Sequence, residues 1–220
     1  MQKLKVEFHC HTIYSKDSLV RPRALVQAAR RKGLDRVIVT DHNSTGGALE
    51  AQSLAPDLII IGEEIMTTQG ELLAAFVTEE LPPGLEPQEA IRRLRAQGAF
   101  ISVSHPFDVF RSGHWDPDDL FKILPLVDAI ETFNARCMNM RTNQQAQEFA
   151  RLHNLAGTVG SDAHTAFELG WALLELDEFE TAEDLKRVIR SARAVTRLSS
   201  PLIHVTSRYA TILKKLGFGV

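Results

Sequence analysis

Two histidines one residue apart, His9 and His11 in the stretch FHCHT, end the apolar run at residues 4–8. Successive side chains of a strand point to opposite faces, so the pair shares a face and can bind one ion together. The intervening Cys10 then points elsewhere, into packing, the ordinary place of a free cysteine. By itself the pair is as consistent with structural histidines as with a site. Later strand-like runs, however, end in the same kind of residue. Asp41-His42-Asn43 follows RVIVT, Gly62-Glu63-Glu64 follows LIII, and Ser104-His105-Pro106 follows the run at 99–103. Glu131 and Asn134 follow the run at 127–130, and Ser161-Asp162-Ala163-His164 follows the one at 157–160. Five of the eight histidines thus stand just past a predicted strand, several beside acids. Imidazole with carboxylate is the ligand set of zinc, manganese and iron. Asp162 and His164 repeat the one-residue spacing, and a carboxylate such as Glu64 can bridge two ions through its two oxygens. Ions so bridged can hold a hydroxide nucleophile and stabilise charge on a phosphate.

The elements that must position these residues alternate along the chain. Strands are expected at 4–8, 36–40, 58–61, 72–78, 99–103, 127–132, 157–160 and 171–176. Helices are expected at 22–32, which opens with Pro22 and closes at Gly33, and at 87–97, 139–153, 181–192 and 200–216. Thr181 and Asp184 have the spacing of a capping box. This alternation predicts a parallel sheet with crossover helices. Six to eight strands in 220 residues favour a compact, irregular α/β barrel, whose site would lie at the carboxyl ends of its strands.

Composition narrows the field. A hydrophobic fraction of 44% and a charged fraction of 24% are those of a globular protein. The net charge of −3 supplies no global field for a long nucleic acid or an anionic membrane. The basic residues Arg21, Arg23, Arg30, Arg31 and Lys32 fall mostly on one amphipathic helix, whose outer face is expected to be solvated. No run approaches the ~18 apolar residues of a membrane span, and the start lacks a signal-peptide pattern. Cys10 and Cys137 make no disulfide framework. A cytoplasmic location is expected.

With HxH, TDH, GxE, SHP and SDAH in this order, the sequence closely resembles the PHP family, named for polymerase and histidinol phosphatase domains. The resemblance covers about residues 3–195 and leaves 196–220 as an extension of a single domain. It implies a distorted (β/α)7 TIM-like barrel with two or three divalent ions (manganese, zinc or iron) at the mouth. Carried over by position, it implies that His9, His11, Glu64 and Asp162 bind the first ion. Glu64 would bridge to a second ion held also by His105, and Asp17, His42 and His164 would bind a third. Many relatives have a histidine on the strand after GxE where this chain offers Glu71. Either Glu71 substitutes as an oxygen ligand, or the second ion is held more weakly.

The activity that the resemblance implies is phosphoester hydrolysis through a metal-bridged hydroxide, on a small phosphorylated metabolite or a nucleotide. Asp162 would accept the water's proton, and His164 or His42 would assist the leaving group. Arg136 is the foremost candidate to grip phosphate, because its donor fork suits bidentate binding. Glu131 and Asn134 would line the substrate pocket with it, and Arg111 is a weaker candidate. Asp41 is read as orienting a ligand or as a turn residue. His114, His153 and His204 match no motif and are read as surface or packing histidines. Three alternatives stay open: a 5′-to-3′ exonuclease on short oligonucleotides, a metal-dependent C–N hydrolase, and a non-catalytic metal-binding domain. The oligomeric state is open, and the segment from residue 200 onward is expected either to close the barrel or to form a dimer contact.

Overall fold

The computed structural model describes residues 3–217. Nine strands form one sheet: β1 (Leu4–Glu7), β2 (Arg36–Val39), β3 (Ile59–Met66), β4 (Glu71–Ala75), β5 (Phe100–Val103), β6 (Ala129–Asn134), β7 (Ala156–Gly160), β8 (Ala172–Leu176) and β9 (Arg193–Thr196). Seven helices surround it: α1 (Pro22–Arg31), α2 (Gly46–Leu54), α3 (Pro87–Ala96), α4 (Pro117–Ile123), α5 (Met140–Leu152), α6 (Ala182–Val188) and α7 (Ile203–Lys215). The strand order is β7-β6-β5-β4-β3-β2-β1-β8-β9. Beyond β1 and β7 the chain pairs again, Cys10 with Ala163 in parallel, so the sheet nearly closes. The fold is a distorted α/β barrel, as the alternation of elements predicts.

The sheet is less regular than the predicted parallel one. β1, β2 and β3 are parallel, as are β5, β6 and β7, but β4 runs antiparallel to both of its neighbours. A tight turn joins β3 to β4, leaving no room for a crossover helix. Reversal of β4 also brings its first residue, Glu71, to the same end as the last residues of β3. β8 pairs antiparallel with β1, and β9 with β8.

Local sequence accounts for most boundaries. α1 begins with Pro22 at its first turn, and the chain leaves it through Gly33 at φ +65°, the left-handed backbone that glycine tolerates best. Thr181 and Asp184 form the expected capping box of α6. That helix ends earlier than predicted, because residues 189–191 tighten into a 3₁₀ turn and β9 follows. α2 and α4 lie outside the predicted helices. α2 opens with two glycines, poor helix formers that mask its start in the sequence. β3 is longer than predicted, so Glu63 and Glu64 lie within the strand and face opposite ways.

Apolar packing holds the frame in place. Cys10 is fully buried with Val37, Val39 and the inner face of α1, including Leu25, where the alternation argument places it. Phe8 meets Phe100 edge to face, ring centroids 6.2 Å apart. At Gly160 the strands approach so closely that a Cβ would lie 2.3 Å from the His9 Cβ and 2.6 Å from Glu131 Oε1. Only glycine permits that approach.

Candidate metal centre

His9 and His11 project into the barrel mouth, fully buried. Their Nε2 atoms lie 3.1 Å apart. Glu64 Oε2 is 3.3 Å from the first and 3.5 Å from the second, while Asp162 Oδ1 is 3.7 and 3.2 Å away. A tetrahedral ion with bonds of about 2.0–2.1 Å sets its ligands about 3.4 Å apart. His9, His11 and Glu64 therefore have the spacing of one metal shell, and Asp162 stands beside both imidazoles.

The imidazoles are oriented to present lone pairs there. His9 Nδ1 lies 2.9 Å from Glu131 Oε1 and donates to it. Ser15 Oγ donates its one hydrogen to Asp41 Oδ1 at 2.6 Å. His11 Nδ1, 3.0 Å from Ser15 Oγ, must therefore be the donor in that contact. His164 Nδ1 donates to the Asp162 carbonyl at 2.8 Å. In all three rings Nε2 remains as the acceptor, the tautomer that a metal requires. Asp41 thus acts on His11 through Ser15, one residue further away than the sequence suggests.

The other proposed ligands cluster beside this group. His105 Nε2 is 3.0 Å from Glu64 Oε1 and 3.4 Å from Glu71 Oε2. His164 Nε2 lies 3.2 Å, and His42 Nε2 3.7 Å, from Asp17 Oδ2. His42 turns its other nitrogen to Glu64 Oε2 at 3.0 Å and Glu71 Oε1 at 3.6 Å. All nine residues proposed as ligands from the sequence converge here, with His42 between two groups rather than in one. The geometry of Asp162 and His164 differs from that of His9 and His11. Asp162 stands past β7 at φ +51°, so a left-handed turn rather than strand pleat brings the pair together.

Electrostatics favour a cation at this centre. Burial opposes charge on His9, yet Glu64, Asp162 and Glu131 hold its pKa well above the usual value. Burial likewise opposes charge on His42, and Glu64 and Asp17 raise its pKa strongly. Burial, with His164 and His42 nearby, lowers His11 to about 3. Glu71 is raised by burial and by Glu64. Glu64 Oε2, Asp162 Oδ1 and Asp17 Oδ1 are buried and accept no hydrogen bond. Carboxylates that draw protons onto buried imidazoles and keep unpartnered oxygens fit divalent metal ions.

Asn134 and the two arginines have partners of their own. Asn134 Nδ2 donates to Glu131 Oε2 and Asp162 Oδ2, both at 3.1 Å. Arg111 reaches Asp162 Oδ2 at 2.5 Å and Asp108 Oδ2 at 3.1 Å. Arg136 is buried, with Nε 3.5 Å from Glu168 Oε1 and Nη2 donating to Ser207 Oγ at 2.8 Å. Arg111 is thus the arginine on a proposed ligand, whereas Arg136 joins the barrel to α7. A cavity of about 630 Å³ opens between Asp17, His42 and His164 on one side and α7 on the other. Arg111 and Arg136 line it, and so does His204, which the sequence reading leaves as a surface or packing residue. His114 sits against the Arg111 carbonyl and His153 against Phe149. Ser15, Ser104 and Glu168 also shape the site, although the motifs assign them no role. Ser104 Oγ donates to Glu64 Oε1 at 2.7 Å, and Glu168 Oε2 accepts from the His164 amide at 3.1 Å. The SHP motif could have pointed to Ser104, but nothing in the sequence marks Glu168.

A family model described as PHP-associated matches residues 140–194. The Methanocaldococcus jannaschii protein MJ0417 is 36% identical over 187 residues, which are 83% of this chain and 75% of that protein. A Bacteroides vulgatus two-domain protein containing a predicted PHP-like metal-dependent phosphoesterase superposes with a TM-score of 0.71 at 22% identity. That match covers 89% of this chain and 65% of the other. An amidohydrolase from Chromobacterium violaceum, with bound sulfate and no metal, gives a TM-score of 0.60 at 15% identity, covering 92% of this chain and 96% of that one. No described helix is long and apolar enough to cross a membrane.

Proposed function

The chain belongs to the PHP family, and from that premise we propose that its centre hydrolyses phosphoesters of small metabolites or nucleotides with divalent metal ions bound. His9, His11, Glu64 and Asp162 would hold one ion. Glu64, His105 and Glu71 would hold a second, and Asp17, His42 and His164 a third, each manganese, zinc or iron. The observation that carries this reading is the convergence of unpartnered Glu64 and Asp162 oxygens at 3.2–3.7 Å from the His9 and His11 Nε2 atoms, themselves 3.1 Å apart. Bound ions supply Lewis acidity to phosphoryl oxygens and activate water at neutral pH.

The chain's own groups do the rest. Arg111 and Arg136 border the cavity and would orient a phosphate, Arg111 from its place on Asp162. Asn134 holds the carboxylate of Asp162, the proposed proton acceptor. His164 and His42 face the cavity, on the side from which they would assist the departing oxygen.

The test is a phosphate-release screen of the purified protein over nucleotides, sugar phosphates and short oligonucleotides. Each substrate is offered with Mn²⁺, Zn²⁺ and Fe²⁺, and metal content is measured on the same preparation. Release from phosphomonoesters is expected, and its absence with every metal and substrate overturns the reading. Activity confined to oligonucleotides and falling steeply with salt would select the exonuclease variant. The fold shared with the Chromobacterium violaceum amidohydrolase supports C–N hydrolysis as a second reading, distinguished by turnover of amides without phosphate release.

A further inference from the structure

Helix α7 presents two different faces. One is turned to the barrel mouth. Ser207 Oγ and the Ile203 carbonyl accept from Arg136 at 2.8 and 3.3 Å, and His204 Nε2 donates to the Arg136 carbonyl at 3.1 Å. Lys214 Nζ donates to the carbonyl of Ser15, at 2.5 Å, and to that of Ile13. The opposite face carries Leu202, Val205, Tyr209, Ile212 and Leu216, exposed by 76, 62, 59, 56 and 66%. Single exposed apolar residues are ordinary on a protein surface. A continuous stripe that no other described element covers is not.

The spacing of the stripe is specific. From Leu202 to Leu216 the steps are three, four, three and four residues, the repeat of a coiled-coil seam. We propose that this face pairs with the same face of a second copy of the chain, antiparallel, about a two-fold axis at Tyr209.

Three observations favour that occupant. The stripe is nearly symmetric about Tyr209, so reversal sets Leu202 against the other copy's Leu216 and Val205 close to its Ile212. Such self-complementarity is what a two-fold interface needs. The five residues expose roughly 600 Å² per copy, so pairing buries at most about 1,200 Å², the lower bound of stable interfaces. Charge chooses the direction. α7 contains no acidic residue, and parallel pairing would place Arg208 beside Arg208 and Lys215 beside Lys215. Antiparallel pairing sets Arg208 near Ala210 and Lys215 near Ile203.

A basic amphipathic helix also fits a lipid surface. Here the polar face of α7 is already packed on the barrel, with Lys214 bound to carbonyls, and the whole chain has a net charge of −3. Because α7 forms a wall of the cavity, pairing would brace that wall in both copies.

Cysteine cross-linking with sedimentation tests the arrangement. The native Cys10 and Cys137 are buried, so the unmodified chain provides the background. Tyr209→Cys is expected to cross-link to itself under mild oxidation. Leu202→Cys and Leu216→Cys are each expected to stay single alone and to link when mixed. The native protein should sediment at twice the chain mass, and Tyr209→Glu with Ile212→Glu should weaken association by about tenfold or more. Tyr209→Ser, with a normal circular dichroism spectrum, should weaken it in the same direction. A native monomer at high micromolar concentration overturns the proposal, as does Leu202→Cys linking to itself, or a dimer unaffected by these variants. Flotation of a monomer with phosphatidylglycerol and phosphatidylcholine vesicles assigns the stripe to lipid and equally overturns it.

Discussion

Glu131 shows how much of the centre depends on residues that would touch no metal. Its Oε1 accepts from His9 Nδ1 at 2.9 Å, while its Oε2 accepts the His105 amide at 2.9 Å and the Asn134 side chain at 3.1 Å. One carboxylate therefore fixes the tautomer of one proposed ligand and the backbone of another. Removing such a partner costs about 10–100-fold in metal affinity or activity. Glu131→Ala is expected to lower bound metal by that order in competition with a chelator, with the fold intact by circular dichroism. Unchanged metal affinity would mean that His9 does not need the Glu131 contact. Glu71 is the proposed ligand at which the resemblance gives a histidine in many relatives. Its antiparallel strand delivers it to within 3.4 Å of His105 and 3.6 Å of His42.

Strand β7 reaches the mouth only because Gly160 lets it lie against His9. A Cβ there would meet the His9 Cβ, an atom fixed to backbone, at 2.3 Å. No flexible side-chain end can yield to relieve that contact. Gly160→Ala is expected to destabilise the fold by about 1–3 kcal/mol, read as a lower midpoint in urea unfolding, and to reduce metal content alongside. An unchanged midpoint would show that the strands can part without loss. The β3–β4 pair has a comparable influence. Alternation along β3 sends Glu64 into the mouth and Glu63 away from it, where Glu63 Oε2 accepts from the Leu81 amide at 3.1 Å.

That outward glutamate bears on the stability of the whole molecule. Burial, with Glu80 nearby, pushes the Glu63 pKa up from 4.5 to about 8. Between these values the folded state holds a proton that the unfolded state has released. Stability on this account is therefore greatest below pH 4.5 and falls as pH rises to about 8, by about 1.4 kcal/mol per pH unit. Glu63→Gln keeps an acceptor for Leu81 and is expected to flatten that slope in unfolding curves measured from pH 5 to 8. A slope unchanged in the variant would assign it to other groups. Glu7, also fully buried and raised to about 7 by burial, adds a slope of the same sign over its own range.

The sequence by itself determined most of the alternating elements and the residues that converge, while α2, α4 and β9 were not legible in it. His9, His11, His42, Glu64, His105, Asp162 and His164 could be named because the ends of barrel strands meet at one mouth, whatever the details of packing. Asp17 stands past the first strand in a polar loop whose ordinary reading is a turn, and Glu71 could be named only through the resemblance. Tertiary structure decided what depends on contacts distant in the chain. The reversal of β4, the Ser15 link between Asp41 and His11, the ties of Arg111 to Asp162 and Arg136 to Glu168, and the seating of α7 over the cavity all join segments that local periodicity cannot relate. Hydrophobic period reports which face a residue takes within its own element. Which element lies opposite is settled only when the sheet closes, and here glycine at position 160 allows it to close against His9.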